Sequence, residues 1–519
     1  MKKIFTVLVA GLMMSAQVMA VSVKDVCGQF KGDLNIGGKP YMDKSVYLLP
    51  GVTQGTLTFV LPDFQYGKAE LGDIVLPNIA MDANGQLTLD SATLYISAIS
   101  ERAKITILNG IEDEGQTYNS VVTSSDAMIL LSIEAPSLVE PIMVLFAGKA
   151  LRGNNYLLPN GGFEGDWTGI EPQGWHSFGT ASGEFADFVT GNTNQFVPSK
   201  DVCPGSNGLQ SALVSSNMLF GVKANGNCTN GKINAGSMTA DDPKANYNFS
   251  DPDSVGFNTP FQGRPDSIVF WAKYQPADKD PNNVVNKARM STIITTNARY
   301  QDPENPDSVY TNIKLASAEI NYAATADLGW QRISVPFTYV TENSDKEPAY
   351  ILTTFTTNMV PGGGSSYSTG GIFGTAVVDS VYLDDVELVY NNRLMMLSWG
   401  NEALGWDGEK FAIDTTYCDS CATFSGLTNG VSAQYFVAYD AIHKCVFVYV
   451  IADDYAQNGA YTIYRVEFTD SEGGAQGVEN TAAEARFEKV LINGQLFIRS
   501  NDAWYNAAGV RVKQKSIEE

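Results

Sequence analysis

The chain has 519 residues, with 57 Asp or Glu against 34 Lys or Arg and a formal net charge of −23. Because its Lys and Arg are not clustered, this balance works against nucleic acid and anionic membranes and favours solubility, neutral ligands such as glycans, and divalent cations. A chain of about 500 residues exceeds what one hydrophobic core serves, so three or four domains are expected. With 48 Gly, 24 Tyr and 25 Phe, short Val/Ile/Thr-rich runs between turn residues and no sustained 3.6-residue period, the fold class is all-β.

Residues 1–20 read as a secretory signal peptide: Lys2-Lys3 are followed by an apolar run from Ile4 to Met14 and a small-x-Ala cut site at Val18-Met19-Ala20. The protein is therefore expected to be exported, secreted or held at the cell surface. No later stretch has the ~18 uncharged apolar residues that a membrane-spanning helix needs.

Residues 21–150 hold eight short strand-like runs, among them FKGDLNI, GTLTFVL, GDIVLPNI and PIMVLFAG. In GTLTFVL the apolar Leu57, Phe59 and Leu61 alternate with other residues, the pattern of a half-buried strand, and the series suits a small closed barrel. In order and landmarks the segment resembles the calycin-like β-barrel domain of exported proteins from gut bacteria.

Residues 151–391 open with NYLLPNGGFEGDWTGIEPQGWH and continue through NGNCTNGKINAGSMTA, FQGRPDSIVFWAKYQP and LGWQRISVPFTY to GTAVVDSVYLDDVELVY. These landmarks resemble the PCMD carbohydrate-metabolism domain, a jelly-roll β-sandwich, and the two ends are similar to those of carbohydrate-binding modules. In modules that begin G-x-E, the glycine carbonyl and the glutamate share a structural Ca²⁺ with an aspartate of the last strand. The resemblance thus implies Gly162, Glu164 and one of Asp384 or Asp385 as metal ligands. Independently, the apolar positions slip from odd (Val381, Leu383) to even (Val386, Leu388), which predicts a bulge at Asp384-Asp385 that re-aims a carboxylate. The alternative is an acidic edge strand carrying solvated charge.

Residues 392–470 alternate in the manner of small immunoglobulin-like β-sandwiches, and 471–484 (SEGGAQGVENTAAE) read as a polar linker. In residues 485–519, Asn493-Gly494 between two apolar runs signals a hairpin. KV-x-x-NGQL-x-I…YN-x-x-G-x-x-V resembles the sorting tail of type IX secretion cargo, which implies that machinery as a partner. The acidic Ser516–Glu519 ending departs from tails that stop near a basic residue.

Triad chemistry needs a histidine base, and only His176 and His443 exist; neither adjoins a G-x-S-x-G elbow. Oxygen donors predominate, which favours Ca²⁺ over transition metals. Six cysteines in an exported chain point to disulfides: Cys203 with Cys228 across a Gly/Asn-rich loop, and one of Cys418 or Cys421 with Cys445, a zinc site being the alternative there. Sugar recognition relies on aromatic faces and planar polar groups, so Trp167, Trp175, Arg264 and Tyr274 are candidate glycan contacts, each with a packing role as the alternative. The functional expectation is a non-catalytic glycan-binding or adhesion protein; the alternatives are a glycoside hydrolase using two carboxylates or a purely structural surface protein.

Overall fold

The computed structural model describes residues 21–66, 69–96, 100–113, 115–153, 155–167, 171–187, 189, 196–219, 222–277, 286–360, 368–369, 375–376 and 378–469, with the backbone of strands at 487–492, 495–500, 503–506 and 511–512. Residues 1–20, read as a signal peptide, 471–484, read as a linker, and Asn493-Gly494, read as a turn, lie outside the described residues. The chain is all-β; helix among these residues is limited to single turns such as Val23–Val26 and Tyr455–Asn458. It divides into two compact units, Met1–Arg152 with Asn392–Glu519, and Gly153–Asn391.

In the first unit, successive antiparallel strands from Gly28–Ile36 to Ala69–Met81 run in one direction around a ten-stranded sheet, and Ile142–Ala150 and Asp126–Glu134 extend it in the other. The sheet curls into a half-barrel whose open side is spanned by a bridge between Gln86 and Val121. Beside that bridge, Leu87 N donates to Ser120 O at 2.8 Å and Val122 N to Gly85 O at 2.9 Å. Phe30, Leu34, Val46, Leu57, Phe59 and Phe146 pack inside.

The Thr56–Tyr66 strand corrects the half-buried expectation, because Leu57 to Leu61 are buried without a break. Leu57, Phe59 and Leu61 face the barrel interior. Val60, on the opposite face, joins Tyr47, Leu49 and Val75 in a second core with Phe436, Phe447, Tyr449 and Tyr455. Thr58 Oγ1 lies 3.2 Å from the Tyr449 hydroxyl.

The segment from Leu394 to Phe468 that supplies this cover is a sandwich of a three-stranded and a four-stranded sheet, with Lys410–Ile413 parallel to Tyr461–Phe468. Its Cys445–Ile451 strand is buried at every position. Val446 and Val448 fill the sandwich's own core, whereas Cys445, Phe447, Tyr449 and Ile451 pack against the barrel. The Tyr455 hydroxyl donates to Leu48 O at 2.7 Å. The segment read from sequence as a separate module thus shares a core with the barrel. Farther on, Phe487–Ile492 pairs antiparallel with Gln495–Ser500, with Ile492 opposite Gln495.

The second unit is a sandwich of two antiparallel five-stranded sheets. One runs Phe196–Ser199, Ser211–Ser215, Ser380–Val389, Ser267–Gln275, Gln331–Pro336; the other runs Asn227–Thr229, Tyr350–Thr356, Ala288–Thr295, Lys314–Tyr322, Thr338–Tyr339. Between them lies a core containing Phe163, Trp175, Phe261, Phe270, Met290 and Phe355.

The cysteine expectations are corrected. The one disulfide among the described residues joins Cys418 to Cys421 within CDSC, and Cys27, Cys203, Cys228 and Cys445 are free thiols. Cys228 points into the sandwich core from one sheet, while Cys203 sits beside the Asp384-Asp385 strand of the other. Cys445 is held in the core shared with the barrel.

Candidate functional site

The parity slip in the last strand of the sandwich is a bulge. Trp271 pairs with Asp384 and Val269 with Glu387, so Asp385 and Val386 together face Phe270. Asp385 takes φ +44°, and the entry turn docks there, with Val386 N donating to Gly161 O at 2.9 Å. An idealised Cβ on Gly162 would lie 3.4 Å from Asp385 Oδ1 and 3.6 Å from Glu164 Cγ. Gly162, Glu164 and Asp385 are therefore neighbours, with Asp384 beside them.

The fully buried Asp384 accepts from Cys203 N and Asp385 N, each at 2.9 Å. The Cys203 thiol donates to Asp385 Oδ2 at 3.4 Å, and donor atoms of these three residues lie within 4.8 Å of one another. Burial, with the Asp385 charge adding to it, pushes the Asp384 carboxyl up against the pull of its N–H donors. Burial and the same two carboxyls push the Cys203 thiol up to about 12. Glu164 Oε1 accepts from Leu209 N at 2.8 Å and Gln210 N at 3.0 Å. Among the described residues no lysine or arginine pairs with Glu164, Asp384 or Asp385. Carboxylates crowded without a counter-charge fit a hard divalent cation; the thiol is the donor such an ion favours least.

The aromatic candidates fare differently. Trp175 is wholly buried, its Nε1 donating to Pro159 O at 2.9 Å and Asn160 O at 3.1 Å. Tyr274 is also wholly buried in the core. Neither presents a ring to solvent, because the start of the chain segment and the inner face of the Ser267–Gln275 strand both pack inward. Trp167 is half-buried, its ring 4.9 Å from that of Phe196. Arg264 Nη2 donates to Lys346 O at 2.6 Å, which locks its loop. On the outer face of the same sheet, Lys273 lies over Tyr382 and pairs with Asp201 at 2.6 Å, and Trp330 Nε1 donates to Asp201 Oδ1 at 3.0 Å.

A cleft that the sequence did not disclose lies in the same unit, with a volume of about 270 Å³. Phe178, Phe185, Ile233, Met238 and Met359 form its apolar side. Asn225, Asn227 and Asn248 line it too, and their side-chain Oδ1 atoms are buried with no hydrogen-bond partner. Asn248 is only 5% exposed. Arg289 also lines the cleft, but its charge is answered by both oxygens of Asp302 at 2.9 Å and by Glu319 at 2.8 Å.

The wall carrying Phe178 is set by Glu171. This buried carboxylate accepts from Ser177 N and Ser177 Oγ, each at 2.7 Å, from Thr180 Oγ1 at 3.0 Å, and faces His176 Nδ1 at 3.1 Å. His176 Nε2 donates to Gly256 O at 2.9 Å, and the backbone of His176 bridges to Thr229. His176 is thus a tie between segments. His443 pairs with Asp440 at 2.7 Å at the start of a turn. The three amides come from separate places, Asn227 and Asn248 on different sheets and Asn225 before the first of them. The one trace in the sequence was the asparagine-rich NGNCTNGKIN at 225–234, read there as a landmark of the carbohydrate-metabolism-domain resemblance and not as a set of ligand contacts.

No family model matches the chain, and no curated protein matches it. Among solved structures it is similar to carbohydrate-binding modules of the β-sandwich superfamily described for promiscuous specificity, at 10% identity over 56% of this chain and 92% of that one, with a TM-score of 0.20. It is also similar to the glycoside hydrolase domain of Endo-D from Streptococcus pneumoniae R6, at 8% identity over 62% of this chain and 35% of that one, with a TM-score of 0.17.

Proposed function

We propose that the protein is an exported, non-catalytic glycan-binding or adhesion protein, and that the amide-lined cleft takes the sugar. The observation that carries this reading is a cleft lined both by apolar side chains and by Asn225, Asn227 and Asn248, whose amide oxygens are buried without a hydrogen-bond partner and reach the cleft by a turn of the side-chain amide. A buried acceptor without a donor costs about 1–3 kcal/mol, and sugar hydroxyls are donors of the right kind, while the apolar face of a pyranose suits Phe178 and Phe185. Among the described residues lining the cleft there is no carboxylate, so the acid–base pair of a glycoside hydrolase has no counterpart at this place.

A glycan array probed with the full-length chain should show binding to neutral glycans without release of reducing ends. Asn248→Leu should abolish that binding and leave the melting temperature unchanged or raised, since it removes an orphaned polar group. Equal binding by Asn248→Leu would remove the cleft from the reading, and reducing-end release would favour the hydrolase.

The bulge cluster supports a second, structural element of the proposal: a Ca²⁺ ion held by Asp384, Asp385 and Glu164 with the Gly162 carbonyl, tying the entry turn to the last strand. Ca²⁺ there would neutralise the crowded carboxylates and do no chemistry on a ligand. A cation bound only by the folded state stabilises it by mass action, about 2.7 kcal/mol at a hundredfold excess over Kd. Chelator should therefore lower the melting temperature of calcium-loaded protein, and Asp385→Asn should remove the difference. Identical melting of loaded and chelated protein would exclude the site.

A further inference from the structure

We infer that the cleft selects a terminal, uncharged acetamido sugar, an N-acetylhexosamine, over the parent hexose; this rests on the glycan-binding reading above. Three features of the cleft lead there. The first is its size: about 270 Å³ falls at the lower limit of ligand sites, which run from roughly 300 to 1,000 Å³. That is room for one sugar residue at a chain end, not for the interior of a polysaccharide.

The second is the division of its lining. A plain hexose carries hydroxyls around its whole rim, and those turned toward Met238, Met359 and Ile233 would be buried without partners, each at a cost of about 1–3 kcal/mol. An acetamido group resolves the mismatch. Its methyl packs on the apolar side chains, its carbonyl accepts from an asparagine NH₂, and its N–H donates to an asparagine Oδ1 once that amide turns toward the cleft. A side-chain amide is the complement of an acetamide because both are planar and each carries a donor and an acceptor.

The third feature is charge. Arg289 lies in the wall but is neutralised by Asp302 and Glu319, so it has no charge left for a carboxylate ligand. Acidic sugars would lose their hydration there without gaining an ion pair. The selection is therefore for a neutral sugar.

The test is titration calorimetry on the full-length chain with the methyl glycosides of N-acetylglucosamine, N-acetylgalactosamine, glucose and galactose, and with N-acetylneuraminic acid. At least one acetamido sugar should bind about tenfold or more tighter than its parent hexose, the increment expected of one well-placed apolar group. Saturation-transfer NMR should place the acetyl methyl in closest contact with the protein. Asn227→Leu and Asn248→Leu should erase the increment while the melting temperature holds. Equal affinity for the parent hexoses would overturn the acetamido selection and leave glycan binding standing, as would tighter binding of the acidic sugar. Absence of binding to every sugar in the set and on the array would overturn both.

Discussion

Replacing Glu171 by alanine is expected to destabilise the Gly153–Asn391 unit by about 3 kcal/mol, because Ser177 N, Ser177 Oγ and Thr180 Oγ1 would lose their acceptor inside the protein. For a unit of this size that corresponds to a fall in Tm of roughly 6–12 °C. The turn that carries Phe178 would loosen with it, so glycan affinity should fall even though Glu171 does not line the cleft. The effect should also depend on pH. Burial alone would raise the Glu171 carboxyl, but the hydrogen bonds from His176 and Ser177 outweigh it and hold the group below its ordinary value of 4.5. A carboxyl depressed in the folded state contributes stability that is present above its unfolded value and is lost as pH falls through the folded one. The native chain should therefore lose stability below about pH 4.5, with a shallower acid slope in Glu171→Gln. Melting curves of the three proteins from pH 7 to pH 3 test this. Coincident Tm values at neutral pH, or parallel acid slopes, would show that the clamp does not act.

The second large effect is expected at Gly161. A Cβ there would lie 2.0 Å from Val386 O and 3.0 Å from Val386 C, both main-chain atoms of the bulge. Gly161 O also accepts from Val386 N, so the turn cannot retreat without giving up that bond. Gly161→Ala should cost about 3 kcal/mol or more, in the range where backbone strain dominates a single substitution. It should also weaken the response to calcium, since the same contact positions Gly162 and Glu164 beside Asp385. Gly153→Ala is the control, because a Cβ at Gly153 meets nothing within 4 Å, and its cost should stay within about 0.5 kcal/mol. Comparable melting of the two alanine variants would mean that the entry turn does not bear on the bulge.

What the sequence determined by itself was whatever a short stretch of chain dictates. The all-β class follows from periodicity. The bulge follows from Val381 and Leu383 against Val386 and Leu388, because side chains alternate across a strand and only an extra residue can change their parity. Gly162, Glu164 and Asp385 were singled out only through the resemblance of the two ends of the module; their proximity comes from the docking of the entry turn on the bulge. Tertiary structure decided what lies against each face. Alternation in GTLTFVL marked Leu57, Phe59 and Leu61 as inward, but nothing local says that Val60 would be covered by Phe436 and Tyr449 nearly four hundred residues later. Cysteine spacing likewise could not show that Cys203 and Cys228 attach to opposite sheets of the sandwich. The cleft is the clearest case. Asn227 and Asn248 face one cavity because separate sheets bring them together. Their oxygens are unpartnered only in that folded setting, a property that arises from long-range packing and leaves no local pattern in the chain.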